Sequence, residues 1–294
     1  MLDGLGVVRI RWDPSQAIEE LQIMSADTLE RPYELTGDSI ESYRQCGHVL
    51  LREVADESVL ADHRPAIAAF VQRKSADAAP LEERDAYHKS FLQVANLWEE
   101  DETVRQFVMA KRFGRIAAEL MGVSSVRLYH DQALFKEPGG SATAWHQDQY
   151  YWPLDTDNCI TMWMPLVDVP VEMGVLTFAS GSHADGLLLN AAISEESDQG
   201  FDGIVNERKF PIEFAAMKAG DATFHSGWTI HRAPPNETAT VREVMTVIYF
   251  ADGTRLLEPD NPHRPADLAR WFPGQAPGEL AGGPLTPIVY TAGQ

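Results

Sequence analysis

Trp145-His146-Gln147-Asp148 places an imidazole and a carboxylate two residues apart. On a β-strand, residues i and i+2 point to the same side. His146 and Asp148 can then share one ion from a strand or a strand end. On a helix they would diverge by about 200°. The pair therefore has chemical meaning only if this part of the chain is β. The flanks, Trp145, Tyr150, Tyr151 and Trp152, form the densest aromatic run in the sequence. A dry aromatic wall suits an oxidising metal centre, although an aromatic core strand would account for Trp145 and Tyr151 equally well. By itself an imidazole–carboxylate pair at this spacing is a weak signal.

Two histidines further along compete to be a third donor, His225 and His231, which on a strand would face the same way. His231 is the better placed. The turn Pro234-Pro235-Asn236 follows it, and Arg242 lies eleven positions beyond, beside Val241 and Val244-Met245. An arginine in apolar surroundings needs an anion. A co-substrate carboxylate would serve, gripped by the guanidinium fork; an ion pair with one of the many acidic side chains is the alternative. Two histidines and one carboxylate with open positions make the ligand set of non-haem Fe(II) oxygenases.

The surrounding pattern changes character near residue 122. Gly37-Asp38-Ser39 offers a helix N-cap, with Ile40 and Tyr43 on one face, Gly47 as terminator and a strand at His48 to Leu51. Helical spacing follows over Val59 to Lys74, about Glu83 to Leu97, and Glu102 to Met121, with Gly122 as C-cap. Strands are then expected at Ser125 to Phe135, Cys159 to Val167, Gly174 to Phe178, Ala219 to Phe224 and Val244 to Phe250. Asp185 to Glu207, polar and weakly periodic, reads as a surface excursion or lid. The start of the chain, through about Leu35, and the Pro- and Gly-rich tail after Gly253 read as segments lying along the surface.

The fold class is thus mainly β with flanking α-helices, around a jelly-roll core. One domain is expected over residues 1–294. It comprises a helical part at about 37–122, a β core at about 123–252 and an extended tail at 253–294.

Length and composition fit an ordinary globular protein: 294 residues, 44% hydrophobic and 23% charged. A formal net charge of -20 repels phosphate backbones and anionic lipid, which speaks against nucleic-acid and membrane partners. Cys46 and Cys159 form no CxxC, and each sits among apolar residues as a free buried thiol. No basic leader followed by an apolar run is seen, and no stretch is long and apolar enough to span a bilayer. A cytoplasmic location is the default expectation. The sequence does not fix the oligomeric state.

Several stretches together resemble the phytanoyl-CoA dioxygenase (PhyH) family. They are Gln132-Ala133-Leu134-Phe135-Lys136-Glu137-Pro138-Gly139, Trp145 through Pro153, Gly174-Val175-Leu176, Ser180-Gly181-Ser182-His183, His231 and Arg242. The resemblance covers roughly Gly37 to Phe250. It implies a double-stranded β-helix (cupin-like) and a dependence on Fe(II), 2-oxoglutarate and O2. It implies His146, Asp148 and His231 as iron ligands and catalytic centre, and Arg242 as partner of the far carboxylate of 2-oxoglutarate. Gln132, Trp163 and Gln93 match co-substrate contacts, Gln93 only with gaps. Many members carry a serine two residues after the distal histidine. Here that place is Ala233, and Thr161 or Thr177 is expected to supply the hydroxyl instead.

Three protein ligands leave three iron positions for the 2-oxo acid and O2, with succinate and CO2 released. Asp148 disfavours halogenation, since related halogenases lack the carboxylate. Hydroxylation, desaturation, epimerisation and cyclisation stay open. Tyr150, Tyr151 and Trp152 are expected to wall a pocket for a small metabolite or natural-product intermediate. His130, His183 and His225 are further pocket candidates. Other readings are an acyl-CoA hydroxylase, a non-catalytic cupin-like binder and a zinc hydrolase using the same three ligands.

Overall fold

The computed structural model describes residues 28–85 and 88–293. The elements run in the order α1 (Gly37–Cys46), β1 (His48–Leu51), α2 (Glu57–Lys74), β2 (Leu92–Ala95), α3 (Glu102–Val108), α4 (Lys111–Met121), β3 (Ser125–Phe135), β4 (Thr143–His146), β5 (Leu154–Asp155), β6 (Cys159–Pro165), β7 (Thr177–Ala179), α5 (Glu195–Arg208), β8 (Ile212–Phe214), β9 (Ala222–Ser226), β10 (His231–Ala233), β11 (Val244–Ala251), β12 (Arg255–Leu256), α6 (Arg264–Trp271) and β13 (Ile288–Thr291). A seven-stranded antiparallel sheet has the order β1-β9-β6-β11-β3-β13, with β2 also paired to β3. A four-stranded sheet has the order β4-β10-β7-β8. These sheets and their flanking helices make the cupin-like jelly roll.

The central strands are buried on both faces, so they read as continuous apolar runs. Period-2 alternation nevertheless sorts their side chains. Met245, Val247 and Tyr249 of β11, with Ile160, Met162 and Met164 of β6, join one core with Val59, Ile67 and Phe70 of α2 and Phe113, Ile116 and Leu120 of α4. The intervening residues, Thr246 and Ile248 on β11 and Thr161 and Trp163 on β6, line a cavity that also receives residues of the smaller sheet. The helices thus seal one face of the large sheet, and the opposite face is left for a site.

Four expectations need correction. Thr36 caps α1, with Ser39 N donating to Thr36 Oγ1 at 3.1 Å, so Gly37-Asp38-Ser39 is already helix. The helix expected over 83–97 is absent among the described residues there. A 3-10 turn at Leu81–Glu83 and β2 replace it, with Leu92 to Ala95 registered against Phe135 to Gln132. Pairing to a neighbouring strand outweighs a local helical pattern. The surface excursion contains α5, closed by a reciprocal capping box between Ser194 and Ser197. The tail is not simply extended: Pro265 opens α6 in its first turn, and Trp271 and Phe272 are buried.

Smaller differences also appear. The run Glu102 to Met121 breaks into α3 and α4. At the chain start, Thr28 and Leu29 are buried, while the residues before Thr28 lie outside the described part. Cys159 is buried and Cys46 half-buried, both as free thiols.

Candidate metal centre

His146 is the last residue of β4, and Asp148 opens a 3-10 turn, Asp148–Tyr150. The pair therefore works from a strand end. β10 pairs directly with β4, and His231 is registered opposite His146. Their rings lie 4.1 Å apart, centroid to centroid. Asp148 Oδ1 stands 3.5 Å from His146 Nε2 and 3.8 Å from His231 Nε2. One donor atom from each of His146, Asp148 and His231 falls within 4.8 Å of the others.

The ring orientations suit a metal. His146 Nδ1 bonds Ala144 O at 2.8 Å and His231 Nδ1 bonds Thr229 O at 3.0 Å. A carbonyl only accepts, so each Nδ1 carries the proton and each Nε2 presents its lone pair. Asp148 Oδ2 faces away from this set and accepts from Thr161 Oγ1 at 3.1 Å. Burial alone would raise the Asp148 carboxyl. The imidazoles of His231, His146 and His225 outweigh burial and hold it well below the usual range. Burial and the neighbouring His146 imidazole push His231 well down, toward the neutral form that binds metal. Two imidazoles and a carboxylate with their donor atoms this close together fit a divalent iron.

His225, the competing third donor, sits on β9 with its Nε2 3.4 Å from Asp148 Oδ2. It stands behind the carboxylate, outside the three-donor set.

A cavity of about 620 Å³ opens beside the three donors, and Arg242 lines it too. Arg242 is 1% exposed. Its backbone bridges to Lys136 in both directions, its Nη1 donates to Gly174 O, and its Nε has no partner among the described residues. The guanidinium lies over the Trp163 ring at 5.3 Å. Among the described residues it forms no ion pair, and burial pushes it down to about 9. Among the described residues, then, no acidic side chain supports the internal ion pair as an explanation of Arg242. Lys136 nearby is no substitute cation, since burial and the charge of Arg242 push its amine down to about 6.

Gly174 is placed by necessity. Its φ is +82°, and a Cβ there would stand 2.4 Å from Pro234 O. That close approach sets the carbonyl accepting from Arg242 beside the end of β10.

The other expected residues divide. Gln132, Gln93, Trp163 and Thr161 line the cavity, as do Tyr151 and Trp152. Gln93 Nε2 donates to Gln132 Oε1 at 2.8 Å. Thr161 is bonded to Asp148. Thr177 is buried on β7, paired with Arg232 and Phe214, and is not among the lining residues. Tyr150 is also absent from the wall. The 3-10 turn sends successive side chains in different directions, so its ring stands behind Tyr151 at 5.0 Å. Of the further candidates, His130 and His225 line the cavity, whereas His183 bonds Arg44 O instead.

Sequence reasoning missed His263, Asp267 and Trp271, which α6 and its approach bring to the cavity. Trp271 stacks on His130 at 4.7 Å. Asp267 accepts from Tyr129 Oη at 2.6 Å, and burial raises its carboxyl. The available signal was Pro265 followed by apolar Leu268 and Trp271 at helical spacing.

Two imidazoles and one carboxylate on one cavity of a cupin-like jelly roll, shared with a buried arginine that has no acidic partner among the described residues, define the class of non-haem iron oxygenase sites. The family model described as Phytanoyl-CoA dioxygenase (PhyH) matches residues 43–244, and the chain belongs to that family. It is 31% identical over 151 residues to the methylphosphonate hydroxylase of Gimesia maris, covering 50% of this chain and 54% of that protein. It is 26% identical over 167 residues to the phytanoyl-CoA dioxygenase of Arabidopsis thaliana, covering 54% and 56%. The chain spans about half the length of these curated relatives.

Among solved structures, the non-haem α-ketoglutarate-dependent carbocyclase SnoK from nogalamycin biosynthesis superposes with a TM-score of 0.71 at 26% identity, covering 88% of this chain and 99% of that one. The epimerase SnoN in complex with Fe3+, α-ketoglutarate and nogalamycin RO gives 0.66 at 25%, covering 94% and 100%.

Proposed function

We propose that the chain is an Fe(II)- and 2-oxoglutarate-dependent oxygenase. It would hydroxylate, or otherwise oxidise at a C–H bond, a small metabolite or natural-product intermediate. The observation that carries this reading is Arg242: a buried guanidinium without an acidic partner among the described residues, in the cavity shared with His146, Asp148 and His231. A hydrolase using the same three ligands has no use for such a cation. A diacid whose keto end reaches the metal does.

His146, Asp148 and His231 would hold the iron and Arg242 the far carboxylate, with Trp163 beneath the guanidinium. When bound, iron and 2-oxoglutarate supply O2 activation, with succinate and CO2 as products. Thr161 orients Asp148 by holding its outer oxygen. Gln93 and Gln132 form one polar edge of the cavity. Tyr151, Trp152 and Trp271 wall the remaining space and keep water from it.

This wall suits a flat or largely apolar substrate. The complex of the epimerase SnoN with Fe3+, α-ketoglutarate and nogalamycin RO supports the choice of a natural-product substrate. Arg232 and Arg242 are the only lysines or arginines among the described lining residues, which speaks against the phosphates of an acyl-CoA. The net charge of -20 argues likewise, and against nucleic acid or anionic membrane as partners. Among the described residues no helix is long and apolar enough to cross a membrane. A cytoplasmic location and a single domain over 1–294 complete the reading.

The test is a screen of small metabolites for stimulated CO2 release from labelled 2-oxoglutarate by the iron-loaded protein. At least one aromatic or polycyclic compound should stimulate it. Iron and 2-oxoglutarate binding without O2 consumption, even uncoupled, would instead mark a non-catalytic binder.

A further inference from the structure

α6 and its approach bring an unmatched charge to the cavity wall. His263, Asp267 and Trp271 follow one another at four-residue steps along one helical face, and all three line the cavity. The Asp267 carboxylate accepts from two neutral donors, Tyr129 Oη at 2.6 Å and the Trp271 indole. Burial, with the carboxylate beside it, holds the Tyr129 phenol protonated, well above its usual range. The phenol therefore donates and Asp267 accepts. Asp267 also stands in the first turn of α6, where the helix dipole favours negative charge.

Among the described residues no cation pairs with that charge. Arg264, on the same helix, donates to Asp260 Oδ1 at 2.6 Å, and Arg270 donates to Glu99 Oε1 at 3.3 Å. Of the two arginines lining the cavity, Arg232 lies over the Trp145 ring at 4.4 Å and Arg242 over Trp163 at 5.3 Å. His263 acts on the carboxylate through space, but its ring packs edge-on against Tyr151 at 5.2 Å.

A carboxylate accepts up to about four hydrogen bonds, so Asp267 has capacity left. The wall around it is aromatic, with Tyr151, Trp152 and Trp271. An apolar substrate entering here strips water from the carboxylate. A substrate hydroxyl would satisfy one oxygen yet leave the charge buried and unpaired, which is unfavourable. An ammonium group offsets the charge, donates to the open oxygen positions and is attracted by the ring faces. The net charge of -20 favours a cationic ligand as well.

We propose that Asp267 determines specificity at the substrate site by binding a protonated amine, carried on an otherwise apolar substrate, beside Trp271 and Tyr151. The proposal rests on the reading of this cavity as the substrate site of an oxygenase and adds the chemical class of that substrate.

The test uses the full chain loaded with Fe(II) and 2-oxoglutarate without oxygen, so that probes bind without turnover, and reads binding by calorimetry. The probes are tryptamine, a protonated amine on an apolar ring system, and tryptophol, its neutral alcohol counterpart. Tryptamine should bind at least about tenfold tighter, the worth of a hydrogen bond between charged groups. Asp267→Asn keeps an acceptor for Tyr129 and removes the charge. It should erase the preference by weakening tryptamine alone, with tryptophol and 2-oxoglutarate affinities within about threefold of the parent. Tyr129→Phe keeps the carboxylate and should keep the preference, which decides the matter should Asp267→Asn fail to fold. Asp202→Asn, which removes an equal charge from an exposed position on α5, should also keep it. A parent that binds neither probe or binds both alike, or an Asp267→Asn variant that still prefers tryptamine, would overturn the proposal. So would loss of the preference in Asp202→Asn, the mark of general attraction to an acidic surface. A parent that takes up no 2-oxoglutarate sinks the oxygenase reading and this proposal with it; normal uptake without amine preference sinks this proposal alone.

Discussion

Replacing Arg242 by methionine should barely change, or even raise, the stability of the ligand-free protein while removing its grip on 2-oxoglutarate. Burial lowers the guanidinium to about 9, a fall worth roughly 5 kcal/mol of unfavourable desolvation. Against this stand the hydrogen bond to Gly174 O, about 1.5–3 kcal/mol, and the contact with Trp163, up to about 2 kcal/mol. The terms nearly cancel. Methionine fills similar space without charge, and replacing buried charge by apolar volume is often neutral or stabilising.

Binding should respond very differently. Removing one partner of a buried, hydrogen-bonded charge pair costs about 2–5 kcal/mol, so the apparent KM for 2-oxoglutarate should rise about 30-fold or more. Urea denaturation of the ligand-free protein and steady-state kinetics give the two numbers. A variant that loses more than about 3 kcal/mol of stability while its KM stays unchanged would show Arg242 to be structural, and the carboxylate assignment would fall.

Two further outcomes follow from the same geometry. His146→Ala and Asp148→Ala should each abolish succinate formation, because each removes one of three metal donors; turnover retained in both would refute the ligand assignment. His48 bonds Ser180 Oγ at 2.9 Å and stacks on Phe178 at 4.3 Å. Burial, with the nearby His225 and His183, lowers it from 6.5 to about 4, and the half-exposed Glu213 at 3.7 Å does not offset this. Between these values the unfolded chain binds the extra proton. Its contribution is therefore complete above pH 6.5 and is lost on acidification toward pH 4, by about 3 kcal/mol. His48→Phe should flatten the stability–pH curve in that window; an unchanged slope would contradict the cause given.

The metal centre was legible where its logic is local. His146 and Asp148 share a strand end, and two-residue spacing announces a common facing. His231 and Arg242 lie far along the chain; the turn after His231 and the apolar setting of Arg242 singled them out, their roles came through the family resemblance, and the register of β10 on β4 supplies the physical link. Thr143 also lines the cavity and was illegible, because the register of β10 on β4 slips by one residue between His231 and Ala233 and no periodicity in Thr143 to His146 reveals the slip. Leu92 to Ala95 misled because pairing with β3, more than thirty residues away, decides its state. The tail misled because its prolines and glycines mask α6, so Trp271, Asp267 and His263 went unnoticed until packing brought them to the cavity.

The most direct measurement is a crystal structure of the protein grown without oxygen with Fe(II) and 2-oxoglutarate, with the metal located by its anomalous signal. The prediction is one ion at about 2.0–2.2 Å from His146 Nε2, His231 Nε2 and an Asp148 oxygen, with the far carboxylate of the diacid on Arg242. An ion held elsewhere, or a diacid turned away from Arg242, would contradict it.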